Sequence, residues 1–306
     1  MRTEEKRSTG FGSPFDLYDE DAYQRWRSIK LKNYPSCADD LVIKINDPTR
    51  LSLSEKQALL ARCSKANLVV YEVAGTRRME KHEIRALGRQ LGLQRLDSNL
   101  CADNDSITSL QVRAEGRKSH YIPYTDRPLS WHTDGYYNES ANCIQSILMH
   151  CVEQAVEGGE NRLLDHEIAY LMMRDENPDY IYAFMRDDAI SIPANSENGT
   201  ELRPLRSGPV FYVDIESGHL MMRYTARSRN ILWRQDKLTR QAVKFMHDLL
   251  IDETPYLFKV RLEPGQGILC NNVLHNRNGF SDGGSDGRGR LYYRARYYDR
   301  IGKGCS

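Results

Sequence analysis

The sequence has almost no net charge: 43 Lys and Arg stand against 42 Asp and Glu, a formal charge of +1. That balance removes the basic field expected of a chain that reads nucleic acid or coats an anionic membrane, so no nucleic-acid partner is expected. Long apolar runs are missing too. None approaches the ~20 residues of a membrane span, so no span is expected. The opening MRTEEKRSTG has no apolar stretch and does not read as a secretory signal. The seven cysteines form no CxxC pair and are odd in number. Both facts argue against a disulfide framework or a structural zinc site and for reduced thiols in a cytoplasm. There is no internal repeat. Self-association is left open by composition.

What is present reads as an ordinary globular chain. Residues 1–35 are polar and form an N-terminal arm or tail, with a helix near Asp19–Leu31; residues 36–306 read as a single domain. Within 50–95, Ser54 and Gln57 make a capping-box pattern, with Leu53 as its staple. Asn67–Val73 is rich in β-branched residues and reads as a buried strand, and Thr76–Leu93 as a helix stopping near Gly92. From about 105 to 300 short strands dominate: Ser109–Arg113, Ser130–Asp134, Ile144–Val152, Arg162–Leu164, Val210–Ile215, His219–Tyr224, Tyr256–Leu262, Gly267–Asn272 and Arg290–Tyr298. Helices interrupt at Glu167–Met173, 178–187 and Asp236–Ile251. The pattern predicts an α+β chain with a double-sheet jelly-roll core and helices outside it.

His132-Thr133-Asp134 lies at the end of a predicted strand, where residues i and i+2 share a face. Eight histidines and 42 acids in 306 residues give roughly one such match by chance. Taken alone, then, a surface strand bearing His and Asp is the simpler reading. The third ligand changes this. His275 ends GILCNNVLH before a Gly-rich loop, and two histidines with one carboxylate make the set that leaves open positions on Fe(II). A zinc hydrolase uses similar ligands, but no general base stands beside these.

In Arg290-Leu291-Tyr292-Tyr293-Arg294-Ala295-Arg296, alternation puts three guanidinium groups on one strand face. Such a face is costly to bury without anions, and Arg fits carboxylates with a planar fork. The alternative is a solvated face paired with surface acids. The functional reading is a pocket for two anions.

Together His132-Thr133-Asp134, Gly158-Gly159-Glu160-Asn161, His275 and Arg290 resemble the taurine dioxygenase superfamily of 2-oxoglutarate enzymes, over roughly residues 120–298. The resemblance implies a double-stranded β-helix core, Fe(II) on His132, Asp134 and His275, 2-oxoglutarate as co-substrate with O2, and Arg290 on its distal carboxylate. Asn161 falls where that family carries a threonine touching the same carboxylate. Arg294 matches the position that holds a substrate sulfonate. Tyr124-Thr125 and Leu129-Ser130-Trp131-His132-Thr133-Asp134 look like gamma-butyrobetaine hydroxylase, in which the residue matching Tyr124 belongs to an aromatic cage for a trimethylammonium group. Arg296, at another cage position, repels a cation. The 306 residues also hold no Cys-rich zinc-binding stretch of that branch's kind. The expected substrate is therefore a small anionic or zwitterionic molecule held by Arg294 and Arg296, with Tyr124 shaping the pocket.

The implied reaction is hydroxylation with release of succinate and CO2. Desaturation or ring closure would use the same ligands, whereas halogenation would need a site without Asp134. A non-catalytic jelly-roll module binding a small acid is the rival outside enzymes. Trp131, Trp233 and Cys270 read as core and His166 as a helix start; His120 and His150 read as core histidines, with pocket lining as the alternative, and Tyr121, Tyr136 and Tyr137 as packing or pocket residues. Asn271 and Asn272 are expected to orient His275.

Overall fold

Two sheets carry the candidate site, and each follows from period-two alternation of apolar residues. The computed structural model describes residues 12–75, 78–98, 102–113, 115–197, 199–227, 231–282 and 289–303. The first sheet has six strands in the order Val42–Ile45, Leu68–Val73, Gln266–Cys270, Ser146–Glu153, Leu291–Tyr297, Thr108–Leu110. Its first pair is parallel and the others antiparallel. One face packs Tyr71, Leu148, Leu269, Ala295 and Tyr297 against Leu59, Cys63, Ile84 and Leu87 of the helices Leu53–Ala66 and Lys81–Gln90. The alternate residues Ile147, Met149, Ile268 and Arg294 line a pocket on the other face. The second sheet is antiparallel, ordered Leu257–Val260, Asn161–Leu164, Leu274–Arg277, Leu129–His132. It supplies the pocket's facing wall through Leu129, Leu163 and His275, which is the two-layer arrangement of a jelly roll.

These strands belong to one compact unit, formed by Pro35–His166, Tyr224–Arg229 and Asp252–Ser306, and it holds every candidate site residue. A second unit gathers Met1–Tyr34, Glu167–Arg223 and Asn230–Ile251. Within it, the expected N-terminal helix forms over Glu20–Leu31, capped by Asp19. Tyr23 on that helix is buried under the guanidinium of Arg174, which lies 3.9 Å from the ring centroid and donates to the Pro14 carbonyl at 2.9 Å. Lys30 meets Glu167 at 2.5 Å in the same buried layer. Trp233 stacks on Phe184. Residues 1–11 of the expected arm and 283–288 of the Gly-rich loop lie outside the described residues.

Several boundaries move for physical reasons. The capping box is Ser52 with Glu55, two residues before the expected pair, because the Glu55 carboxylate also accepts from the Asn46 backbone N–H. The helix expected at Thr76–Leu93 spans Lys81–Gln90, opened by a Glu80–Glu83 box; Thr76 and Arg77 lie outside the described residues. GILCNNVLH is two strands in different sheets, broken where Asn272 adopts φ 49°. The strand bearing His132 stops at that residue, so Asp134 sits in a turn with Gly135 at φ 69°.

Gly158 and Gly159 both adopt positive φ, at 75° and 72°. A Cβ on Gly158 would lie 2.3 Å from the Gly279 carbonyl oxygen, so backbone would have to move. Gly158→Ala should therefore destabilise the fold by about 2 kcal/mol or more, read as a lowered urea midpoint with an unchanged slope.

Candidate active site

His132 ends one strand and His275 is the second residue of its neighbour; the two are register partners with ring centroids 4.2 Å apart. With Asp134 they bring one ligand atom each to within 4.8 Å of one another. Nδ1 of His132 lies 2.9 Å from the Ser130 carbonyl, and Nδ1 of His275 lies 2.9 Å from the Val273 carbonyl. A carbonyl only accepts, so each Nδ1 carries the proton and each Nε2 keeps its lone pair for a metal. Burial and the neighbouring His132 push the His275 pKa down to about 4, which keeps the ring neutral.

Asp134 is buried, which by itself would raise its carboxyl pKa. The Arg294 guanidinium, 3.3 Å from both oxygens, outweighs this with help from Arg296 and holds the carboxyl well below the usual carboxylate range. Even so, Oδ2 accepts no hydrogen bond from the described residues. A buried, ionised carboxylate with an unsatisfied oxygen beside two imidazole lone pairs suits a divalent cation, and this mixed N/O set suits Fe(II).

The pocket continues from His275 along apolar walls to Asn161, Arg277 and Arg290. The guanidinium of Arg290 lies 3.7 Å from the centroid of Tyr292, and burial lowers its pKa. Among the described residues, its Nε and the Nδ2 of Asn161 have no hydrogen-bond partner. These are donors waiting for an acceptor at the pocket's end. Arg277 adds a second cation there. Its Nη2 donates to the carbonyls of Thr125 at 2.9 Å and Arg127 at 2.5 Å, and burial and Arg290 lower its pKa to about 10. The sequence reading passed over Arg277, although it stands two residues past His275 on one strand.

The three arginines expected to share a face meet different fates. Arg290 and Arg294 line the pocket. Arg296 is instead buried in an ion pair with Asp97, and its Nη1 donates to the Tyr137 hydroxyl at 3.2 Å. Tyr298 donates to the other Asp97 oxygen at 2.6 Å. Its charge is thus met inside the protein. Nothing in the sequence marks Asp97, 199 residues away. Tyr124 is buried with the Lys118 ammonium 5.3 Å from its ring centroid, so the chain's own cation already meets this ring. Asn272 grips the backbone of Asp134 and not His275, and Asn271 bonds Asn67. His150 stacks on Tyr71 in the core and Trp131 is buried, both as expected. The His120 side chain lies outside the described residues.

Comparison with known proteins agrees with this geometry. A uridine-5'-phosphate dioxygenase from Amycolatopsis sp is 28% identical over 181 residues, or 56% of this chain and 62% of that protein, so the match spans less than two thirds of the relative. Among solved structures, a putative alpha-ketoglutarate-dependent taurine dioxygenase from Burkholderia xenovorans superposes with a TM-score of 0.57 at 12% identity, covering 85% of this chain and 87% of that one. Asparagine oxygenase in complex with Fe(II), 3-hydroxyasparagine and succinate gives 0.55 at 12% identity, covering 95% and 92%. At such identities the structures speak to fold alone, and they share the one derived above. The family model for taurine catabolism dioxygenases matches residues 36–295, a range that takes in His132, Asp134, His275, Arg290 and Arg294. The chain therefore belongs to the taurine catabolism dioxygenase TauD, TfdA family.

Proposed function

We propose that the protein is an Fe(II)- and 2-oxoglutarate-dependent dioxygenase that hydroxylates a small anionic molecule, releasing succinate and CO2. The observation that carries this reading is the convergence of His132, Asp134 and His275 at one end of a pocket whose other end holds unsatisfied Arg290 and Asn161 donors. Bound iron with the keto acid and O2 supplies the oxidising chemistry. The protein's part is position and charge. His132, Asp134 and His275 hold the metal on one side, Arg290 and Asn161 fix the far carboxylate of the co-substrate, and the apolar walls exclude water from the space between.

Arg294 is the side chain we assign to the substrate anion, since it lines the pocket beside Asp134 while Arg296 is neutralised by Asp97. The name of the Amycolatopsis relative singles out one anion for the first trial, a nucleoside monophosphate. We take the substrate to be a free small molecule in the cytoplasm, in keeping with the balanced charge and with free thiols at Cys37, Cys63, Cys143, Cys151 and Cys270. No helix among the described residues is long and apolar enough to cross a membrane.

The test is succinate formation with Fe(II), 2-oxoglutarate and a panel of phosphate monoesters, sulfonates and carboxylates. Arg294→Ala should raise the substrate KM by roughly 10- to 100-fold, as expected for losing a charge-assisted hydrogen bond of about 1.5–3 kcal/mol. The 2-oxoglutarate KM should move far less. No iron-dependent succinate from any panel member would favour the non-catalytic reading, and an Arg294→Ala enzyme with unchanged substrate kinetics would move the anion elsewhere.

A further inference from the structure

Asp134 lies beyond the strand that carries His132, so no ladder bond of that strand fixes it. The preceding Thr133 is held from the Tyr224–Arg229 segment, donating to the Tyr224 carbonyl at 3.0 Å and accepting on Oγ1 from the Tyr224 N–H at 3.1 Å. Among the described residues, the main chain of Asp134 is held by the side chain of Asn272. Oδ1 of Asn272 accepts from the Asp134 N–H at 2.8 Å, and its Nδ2 donates to the Asp134 carbonyl at 2.9 Å and to the Ile144 carbonyl at 2.7 Å. The amide thus replaces both backbone bonds that a neighbouring strand would offer. It also ties the turn to Ile144, against which Gly135 packs so closely that a Cβ there would lie 2.5 Å from the Ile144 side chain.

Asn272 is itself fixed from behind. It is buried and left-handed at φ 49°, a conformation that asparagine tolerates better than most residues. The adjacent Asn271 bonds Asn67 by main chain at 2.8 Å and by side chain at 3.1 Å, and Asn67 takes Arg300 at 2.7 Å. Three residues further on comes His275. A single crossover between the two sheets therefore carries one candidate ligand and the clamp on another.

We infer that Asn272 is a positioning residue for the metal site: by holding the main chain of Asp134 it sets the aim of that carboxylate relative to His132 and His275. The inference rests on the metal site proposed above. An amide suits the task because it accepts and donates at once and brings no charge next to the cation.

Co(II) serves as a spectroscopic probe of the site. Asn272→Gly removes the clamp and still accommodates positive φ. It should weaken Co(II) binding by roughly 10- to 100-fold, the usual loss when the support of a metal ligand is removed, and should change the visible ligand-field spectrum of the Co(II) complex. Asn272→Asp is the second variant. It keeps the acceptor, loses both donors and adds a negative charge, which by electrostatics alone would tighten cation binding. If the clamp sets the site, Co(II) still binds more weakly than to the wild type. Metal-free melting temperatures separate this role from a general loss of fold. Wild-type affinity and spectrum in Asn272→Gly, or tighter binding in Asn272→Asp, overturn the inference and leave the metal site standing. A wild-type protein that binds no Co(II) overturns the metal site itself.

Discussion

Replacing His275 with alanine is expected to reduce Fe(II)-dependent succinate formation to background and to remove tight metal binding, while the far-ultraviolet circular dichroism stays that of the wild type. The ring lines a pocket and is not part of the apolar cluster that packs the six-stranded sheet against its helices. Its loss should therefore cost the fold little. Its loss to the metal is large. Two donors would remain, and one of them, Asp134, already has Arg294 as an alternative partner at 3.3 Å. The expected drop exceeds the roughly 10- to 100-fold that follows removal of an outer partner. Isothermal titration with Fe(II) under anaerobic conditions reads it directly. Full turnover in His275→Ala would remove this residue from the ligand set.

A comparably large effect belongs to the co-substrate. Arg290→Ala should weaken 2-oxoglutarate binding by roughly 30- to 150-fold, the equivalent of about 2–3 kcal/mol for a desolvated charge-assisted pair. Arg290 is 2% exposed, so water cannot stand in for the lost donor without entering the pocket. Metal affinity should change little, because Arg290 and the clustered ligands lie at different parts of the pocket lining. The absorption band that develops when the keto acid chelates ferrous iron gives the dissociation constant. An unchanged constant would hand the anchor to Arg277, the other buried cation at that end.

Much of this site was legible because its chemistry depends on residue types that strands place by rule. Two histidines in strands, with a carboxylate and an arginine just outside strand ends, required no knowledge of side-chain packing. The local path of the backbone was harder to read. Asp134-Gly135 carries a turn signal that competes with strand alternation, and the turn won, with Gly135 at positive φ. Asn271-Asn272 likewise breaks an apolar run that otherwise reads as one strand. The short Val42–Ile45 strand has no local signal because its support is parallel pairing with Leu68–Val73, whose register partners lie 28 residues downstream. Side-chain partners far apart in sequence left no trace at all. The face of Arg290, Arg294 and Arg296 is alternation, which a sequence displays. That Asp97 would neutralise one of the three depends on the bridge between Leu96 and Tyr297, which it does not.

The contact between Arg294 and Asp134 makes two binding events interdependent under the proposed assignment. Before a cation arrives, this guanidinium is the counter-ion of the carboxylate. A divalent metal takes over that task and frees Arg294 for an anion in the pocket. Conversely, an anion that draws Arg294 away leaves Asp134 more strongly negative and more receptive to the metal. Each ligand then raises the affinity of the other by the same factor, because a coupling free energy between two sites is reciprocal. Under that assignment, metal and substrate anion promote each other's binding through one shared arginine, whichever arrives first.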